Sequence, residues 1–265
     1  MNIDLKGKNA FVGGSSKGIG KAVAFELARL GASITLVGRE EPSLMQCLID
    51  LSFIGSSEQR HDYVAVDFSD PDKVKSAVER HIKKTNKTYQ ILVNNTGGPA
   101  AGKIVDAEEK DFIRAFESHV ICNHLLTKLF LDGMKKSGYG RIINIISTSV
   151  KQPLPNLGVS NTIRWAVASW AKTMANELGE FGITVNNVLP GATETERLSA
   201  IVKANSEKLN VSVDVVKEAM LKEIPMKRFA KAEEVANAVA FLASPAAAYI
   251  TGINVPIDGG RTSSL

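Results

Sequence analysis

The sequence is poor in cysteine: 265 residues contain two, Cys47 and Cys122. Two isolated cysteines form neither a metal-ligand spacing nor a disulfide framework. They exclude a stapled secreted scaffold and predict two buried, inert thiols in a reducing compartment. Aromatic residues are scarce at 6%, and only four are tyrosines, Tyr63, Tyr89, Tyr139 and Tyr249. None of the four has a lysine four positions later. No apolar run is long enough to cross a membrane. The stretch "MNIDLKGKNAFVGG" lacks the charged-then-apolar order of a secretory leader. No dense run of one charge is present either. Lys and Arg total 32 against 28 Asp and Glu, a net charge of +4 that solubility explains as well as an anionic ligand does. These absences predict a cytoplasmic protein with no nucleic-acid partner, no membrane partner and no metal.

What is present is a rhythm. Apolar strand-like runs, "NAFVGG" (9–14), "SITLVG" (33–38), "YVAVDF" (63–68), "QILVNN" (90–95), "GRIINIIS" (140–147), "ITVNNVLPG" (183–191) and "GINVPIDGG" (252–260), alternate with amphipathic helix-length segments. Helices are expected over 18–32, after Asp70–Pro71, over about 106–134, over about 157–178 and from about 232. Runs with few alternating polar residues are the pattern of strands buried on both faces, hence of a parallel sheet covered by helices. With 44% hydrophobic residues and no linker, the chain reads as one α/β domain over 1–265. The polar helical stretch 192–224 breaks the rhythm and reads as an insertion.

The first strand runs into "GGSSKGIGKA" (13–22), which opens the first helix. Gly14, Gly18 and Gly20 permit tight turns, and a helix N-terminus there favours a pyrophosphate. Ser16, Lys17 and Ile19 belong to the same turn. The second strand ends in Gly38 and Arg39, where an acid would bind a ribose 2′-hydroxyl. With Arg39 and no carboxylate at Gly38, a 2′-phosphate is accepted, and NADP(H) is expected in preference to NAD(H).

These motifs, with "VDFSD", "NNTGG", "NELGEFGITVNNVLPGATETERL", "IPMKRFAKAEEVANAVAFLASPAAAYITG" and "VPIDGG", stand in the order and spacing of a known family. Over nearly its whole length the chain resembles the short-chain dehydrogenase/reductases. The resemblance implies a Rossmann-type, doubly wound, seven-stranded parallel sheet with helices on both faces, and a substrate lid at about 192–224. It places Asp67 and Phe68 at the adenine, Asn94, Asn95 and Gly97 beneath the cofactor, and Pro190, Gly191 and Thr195 at the nicotinamide end. It also implies a homodimer or homotetramer through the helices near 106–134 and 157–178.

The family's four catalytic positions are Asn, Ser, Tyr and Lys. Here Ser147 matches the Ser, but Ser160 stands at the Tyr position and Arg164 at the Lys position. His119 falls at the Asn position. A serine hydroxyl is a far weaker acid than a phenol of pKa about 10, and a guanidinium of pKa above about 12 keeps its proton. Arg164 can bind ribose hydroxyls or an anionic group. His119, with an ordinary pKa near about 6.5, is the one nearby group that could supply a proton, directly or through water, the alternative being a helix histidine satisfied by backbone or packed at an interface. Arg197, Lys203 and Lys208 on the insertion could steer an anionic substrate, although the wet face of a helix carries such residues too. Two readings follow. One is an NADP(H)-dependent oxidoreductase acting on a small carbonyl or alcohol substrate, similar to a 3-oxoacyl reductase, with a non-standard site. The other is a catalytically inactive dinucleotide-binding sensor or partner subunit.

Overall fold

Residues 1–264 are described by a computed structural model. In chain order the elements are β1 (Asn9–Val12), α1 (Gly18–Arg29), β2 (Ser33–Gly38), α2 (Glu41–Ser52), β3 (Asp62–Ala65), α3 (Pro71–Thr85) and β4 (Ile91–Asn94). Then come α4 (Glu109–Phe116), α5 (Cys122–Ser137), β5 (Gly140–Ile145), α6 (Gly158–Leu178) and β6 (Ile183–Pro190). The chain closes with α7 (Glu196–Leu209), α8 (Val213–Lys222), α9 (Ala232–Ala243) and β7 (Asn254–Ile257). The seven strands form one parallel sheet in the order β3-β2-β1-β4-β5-β6-β7.

The strands pair because both faces are apolar and covered. Ala10, Val12, Ile34 and Leu36 pack with Val23 and Leu27 of α1 and with Val235 and Val239 of α9. Phe11, Leu92 and Ile142 pack on the other face with Val74 and Val78 of α3, Leu126 and Phe130 of α5 and Ala171 of α6. The sheet order reverses between β1 and β4. The carboxyl ends of those two strands therefore splay their loops apart and open a crevice there, the usual ligand position in an open α/β sheet.

Three features depart from the expectations. The helix expected over 106–134 is two helices, α4 and α5, joined by a π-helical turn at Glu117–Ile121. An i→i+5 turn inserts one residue and redirects the side chains beside it, here His119. α2 goes unread in the sequence, although Leu44, Cys47 and Leu51 mark its buried stripe. The third strand is shorter than expected and ends at Ala65. Both cysteines are free and buried.

A polar line crosses the sheet. Asn94 donates to Asn144, Asn144 to Asn187 and Asn187 to Asn254, each at 2.8 Å. The strand register makes these four residues direct neighbours. Amides bonded side by side offset much of the desolvation cost of carrying polar groups in a buried layer across β4 to β7, although Asn94 Oδ1 at the end of the line is buried with no partner among the described residues.

Candidate active site

The loop after β1 is held from three sides. The Val37 amide donates to Ser15 Oγ at 2.8 Å, tying the loop to β2. Asn95 Nδ2 donates to the Gly13 carbonyl at 3.0 Å. Gly20 approaches the loop so closely that a Cβ there would stand 2.1 Å from the Gly14 carbonyl oxygen. Gly18 opens α1 at φ +57°, a left-handed conformation that favours glycine. No side chain among the described residues caps α1. Its first N–H groups thus face the crevice with the positive end of the helix dipole behind them, an arrangement suited to a phosphate.

A cleft of about 490 Å³ opens over this terminus. Gly14, Ser16, Lys17, Gly18, Ile19 and Gly20 line it on the side of α1, with Arg39, Asp67 and Phe68 beside them. Asn95, Gly97 and Thr195 close the opposite end. The remaining predicted cofactor residues lie elsewhere. Asn94 is buried in the asparagine line and does not face the cleft. Pro190 ends β6, and the amide of the following Gly191 donates to the Ile257 carbonyl. Arg164 lies beneath His119.

Both cations of the first cleft, Arg39 and Lys17, have carboxylate neighbours. Arg39 stands 3.8 Å from Asp67, a long, exposed pairing of little strength. Lys17 Nζ bonds Glu196 Oε2 at 2.6 Å, which joins the glycine loop to the first turn of α7. Thr195 caps α7 by accepting from the Leu198 amide, and its methyl lies over Gly18.

A second, wider cleft of about 1110 Å³ adjoins the first and shares Gly97, Gly98 and Ser118 with it. His119 and Val159 form its inner wall and Lys208 its outer edge. Ser147 follows β5 and, like Ser160 and Arg164, is outside the lining of both clefts; its Oγ accepts from the Ser149 amide at 3.1 Å. Ser160 and Arg164 stand in the first two turns of α6, both buried. No tyrosine lines either cleft. Tyr89 is buried against Thr35, Tyr139 bonds the Ala243 carbonyl, Tyr63 bonds Glu41, and Tyr249 is exposed.

His119 and Arg164 meet. Arg164 Nη1 lies 3.3 Å from His119 Nδ1 and donates to the Ile145 carbonyl at 3.1 Å. A guanidinium only donates, so Nδ1 accepts and the ring proton is assigned to Nε2. Burial, the Arg164 charge and the Arg197 charge hold the imidazole well below its ordinary pKa, opposed by its hydrogen bond to the Gly97 backbone. His119 is therefore neutral at neutral pH. Burial, followed by the Arg197 charge, pushes Arg164 down to about 10, which leaves it charged at neutral pH.

Sequence reasoning had no means of finding two features. The π turn that aims His119 inward has no local signature. The second is the site of Arg197, whose Nη1 and Nη2 reach the carbonyls of Gly98 and Pro99 at 3.3 and 3.4 Å across the mouth of the clefts.

Comparison with known proteins agrees with this architecture. The model of a family described as enoyl-(acyl carrier protein) reductase matches residues 14–262. A 3-oxoacyl-[acyl-carrier-protein] reductase of Pseudomonas aeruginosa is 33% identical over 264 residues, covering 99% of this chain and all of that protein. An NADPH-dependent reductase of Bacillus subtilis is 31% identical, covering 97% of this chain and 99% of that protein. The crystal structure of L-sorbose reductase from Gluconobacter frateurii, complexed with NADPH and L-sorbose, superposes with a TM-score of 0.93 at 32% identity over the full length of both chains. From the glycine loop to the last strand, in sequence and in sheet order alike, the chain belongs to the short-chain dehydrogenase/reductase family.

Proposed function

We propose that the protein is an NADP(H)-dependent oxidoreductase that interconverts a small carbonyl compound and its alcohol, in the manner of a 3-oxoacyl reductase but with a different proton source. One observation carries the reading: a cleft built over an uncapped helix terminus, with Arg39 at its far end, runs directly into a second cleft walled by His119. NADP(H) fits the first cleft by the chemistry of its donors. The α1 N-terminus and Lys17 take the pyrophosphate, and Arg39, released from Asp67, takes the 2′-phosphate. Asp67, Phe68, Asn95, Gly97 and Thr195 border the rest. The bound nicotinamide supplies or accepts hydride.

The chain's own residues do the remaining work. Ser147 orients the substrate oxygen. Arg164 holds a ribose hydroxyl or an anionic group of the substrate. Water donates the proton to the substrate oxygen, the resulting hydroxide being neutralised by solvent, and that water is held by the Ser160 hydroxyl, which has no hydrogen-bond partner of its own among the described residues, or by His119. The segment 192–224 acts as the lid of a single domain spanning 1–265. Exposed Ile113, Phe116, Ile121 and Trp165 support a homodimer or homotetramer through α4 and α6. No helix among the described residues is long and apolar enough to cross a membrane, which supports a cytoplasmic location.

The test is NADPH oxidation across ketones, 3-oxoacyl thioesters and quinones, repeated with Ser147→Ala and Arg164→Ala. Turnover that neither substitution changes would remove these roles. The absence of any tyrosine from the clefts favours a second reading, a non-catalytic dinucleotide-binding sensor or partner subunit. Tight NADPH binding with no turnover on the whole panel, and a co-purifying partner, would select it.

A further inference from the structure

The Arg164 guanidinium is over nine-tenths buried, yet no carboxylate pairs with it among the described residues. Its hydrogen bonds both leave from one nitrogen, Nη1. Nε is sealed from solvent and has no partner. Nη2 has no partner either and is not sealed. Nε–H and the neighbouring Nη2–H form the edge with which an arginine grips a planar oxyanion through two parallel bonds. Neither donor of that edge has a partner among the described residues, and Nη2 is its open end.

A second cation lines the adjoining cleft. Arg197 sits on α7, and its guanidinium lies against Gly98, where a Cβ would meet Nη2 at 2.7 Å. It too has no carboxylate partner among the described residues, since the adjacent Glu196 is taken by Lys17. Its charge depresses both Arg164 and His119, so the three groups are electrostatic neighbours. Two guanidiniums that repel each other, one of them buried, form an arrangement lacking its counter-ion. His119 is neutral and cannot compensate it.

We propose that Arg164 and Arg197 form an oxyanion subsite, and that the carbonyl substrate carries a carboxylate which this subsite binds. The assignment rests on the oxidoreductase reading above and adds the substrate class to it: oxo acids and their hydroxy acids, rather than neutral ketones. The Nε–Nη2 edge of Arg164 takes the carboxylate from within, and Arg197 closes on it from the lid. The bound anion offsets both positive charges beside His119 and so brings the imidazole closer to protonation, at the point where a proton is needed.

Calorimetric titration tests this with oxalate, a carboxylate probe that is not reduced, against its neutral counterpart oxamide. The protein is used with and without saturating NADP⁺, after NADP⁺ binding itself has been measured. Oxalate is expected to bind the NADP⁺ complex and oxamide not to bind. Arg164→Gln and Arg197→Gln should each weaken oxalate by about tenfold or more, as loss of a charge-assisted bond does, and Arg197→Gln should change NADP⁺ affinity by less than about threefold. Arg164→Lys, which keeps charge without the fork, should not restore binding. Inorganic phosphate should compete poorly. Equal binding of oxalate and oxamide, or oxalate binding untouched by both substitutions, overturns the subsite. Oxalate displaced by NADP⁺, or phosphate bound in preference, also overturns it, because the arginines would then serve the cofactor's phosphates. Should Arg164→Gln not fold, Arg197→Gln on the outer helix still decides. Failure to bind NADP⁺ at all would strike the oxidoreductase reading instead, whatever oxalate does.

Discussion

Arg164 Nη1 lies 3.3 Å from His119 Nδ1, and this contact joins the first turns of α6 to the π turn between α4 and α5. A histidine that accepts a bond from a buried guanidinium cannot carry a proton on the same nitrogen. The pair therefore sets which form of the imidazole faces the clefts. It also leaves a charge in the interior that the protein alone does not neutralise.

The first prediction concerns stability. Replacing an uncompensated buried charge by an apolar side chain of similar volume is often neutral or stabilising. Arg164→Met is expected to leave the ligand-free protein as stable as the parent, or more stable by up to about 2 kcal/mol, despite the lost bond to the Ile145 carbonyl. Urea denaturation measures it. A loss of more than about 2 kcal/mol would show that the guanidinium is needed to hold α6 on β5.

His119 gives a pH signature. Its pKa is depressed in the folded chain, so below the ordinary value of about 6.5 the unfolded chain takes up a proton that the folded chain refuses. The stability tied to His119 is complete above that pH and is lost as pH falls, by at most about 1.4 kcal/mol per unit. His119→Gln should abolish this component. His61 is depressed as well, chiefly by burial, but it is common to both proteins and cancels in the difference. Parallel stability–pH curves between pH 7 and 5 would contradict the assignment.

Arg39 should decide between cofactors. With only a long, exposed contact to Asp67 to break, its guanidinium is available to a 2′-phosphate. Arg39→Ala is expected to weaken NADPH by about 10- to 100-fold, the worth of a charge-assisted hydrogen bond, and to leave NADH nearly unchanged. Fluorescence titration of both cofactors measures the ratio.

Glu196 pairs with Lys17, the residue that precedes α1. Both side chains are largely exposed, so Glu196→Ala should shift stability by less than about 1 kcal/mol. It should tighten NADPH by a few-fold, because Lys17 no longer has to leave a carboxylate. Weaker NADPH binding in this variant would mean that Glu196 assists the cofactor rather than competing with it.

Ser160→Tyr combined with Arg164→Lys and His119→Asn supplies a phenol as acid and removes the cation–imidazole pair. If the missing acid limits turnover, the rate of NADPH oxidation on a neutral 3-oxoacyl thioester should rise by about 10²- to 10⁴-fold, the usual worth of general acid catalysis. An unchanged rate would place the limit elsewhere, in binding or release.

Much of this protein was legible along the chain. Strand–helix alternation, "GGSSKGIG" between β1 and α1, Arg39 after β2 and Ser147 after β5 are local signals, because each depends on residues adjacent in sequence. They suffice for the parallel sheet, the glycine cleft and its preference for a phosphorylated ribose. The asparagine line was present as four letters, Asn94, Asn144, Asn187 and Asn254, but only the register of four strands aligns them. The same holds at the site. His119 and Arg164 are far apart in sequence, and neither residue predicts the other. A π turn rotates one side chain inward, and the packing of α6 buries the other. Arg197 joins them because α7 folds back over the loop after β4. Local sequence determined which groups the chain carries; long-range packing decided which of them share a low-dielectric space, and hence which keep a charge, which lose it and which lack a partner.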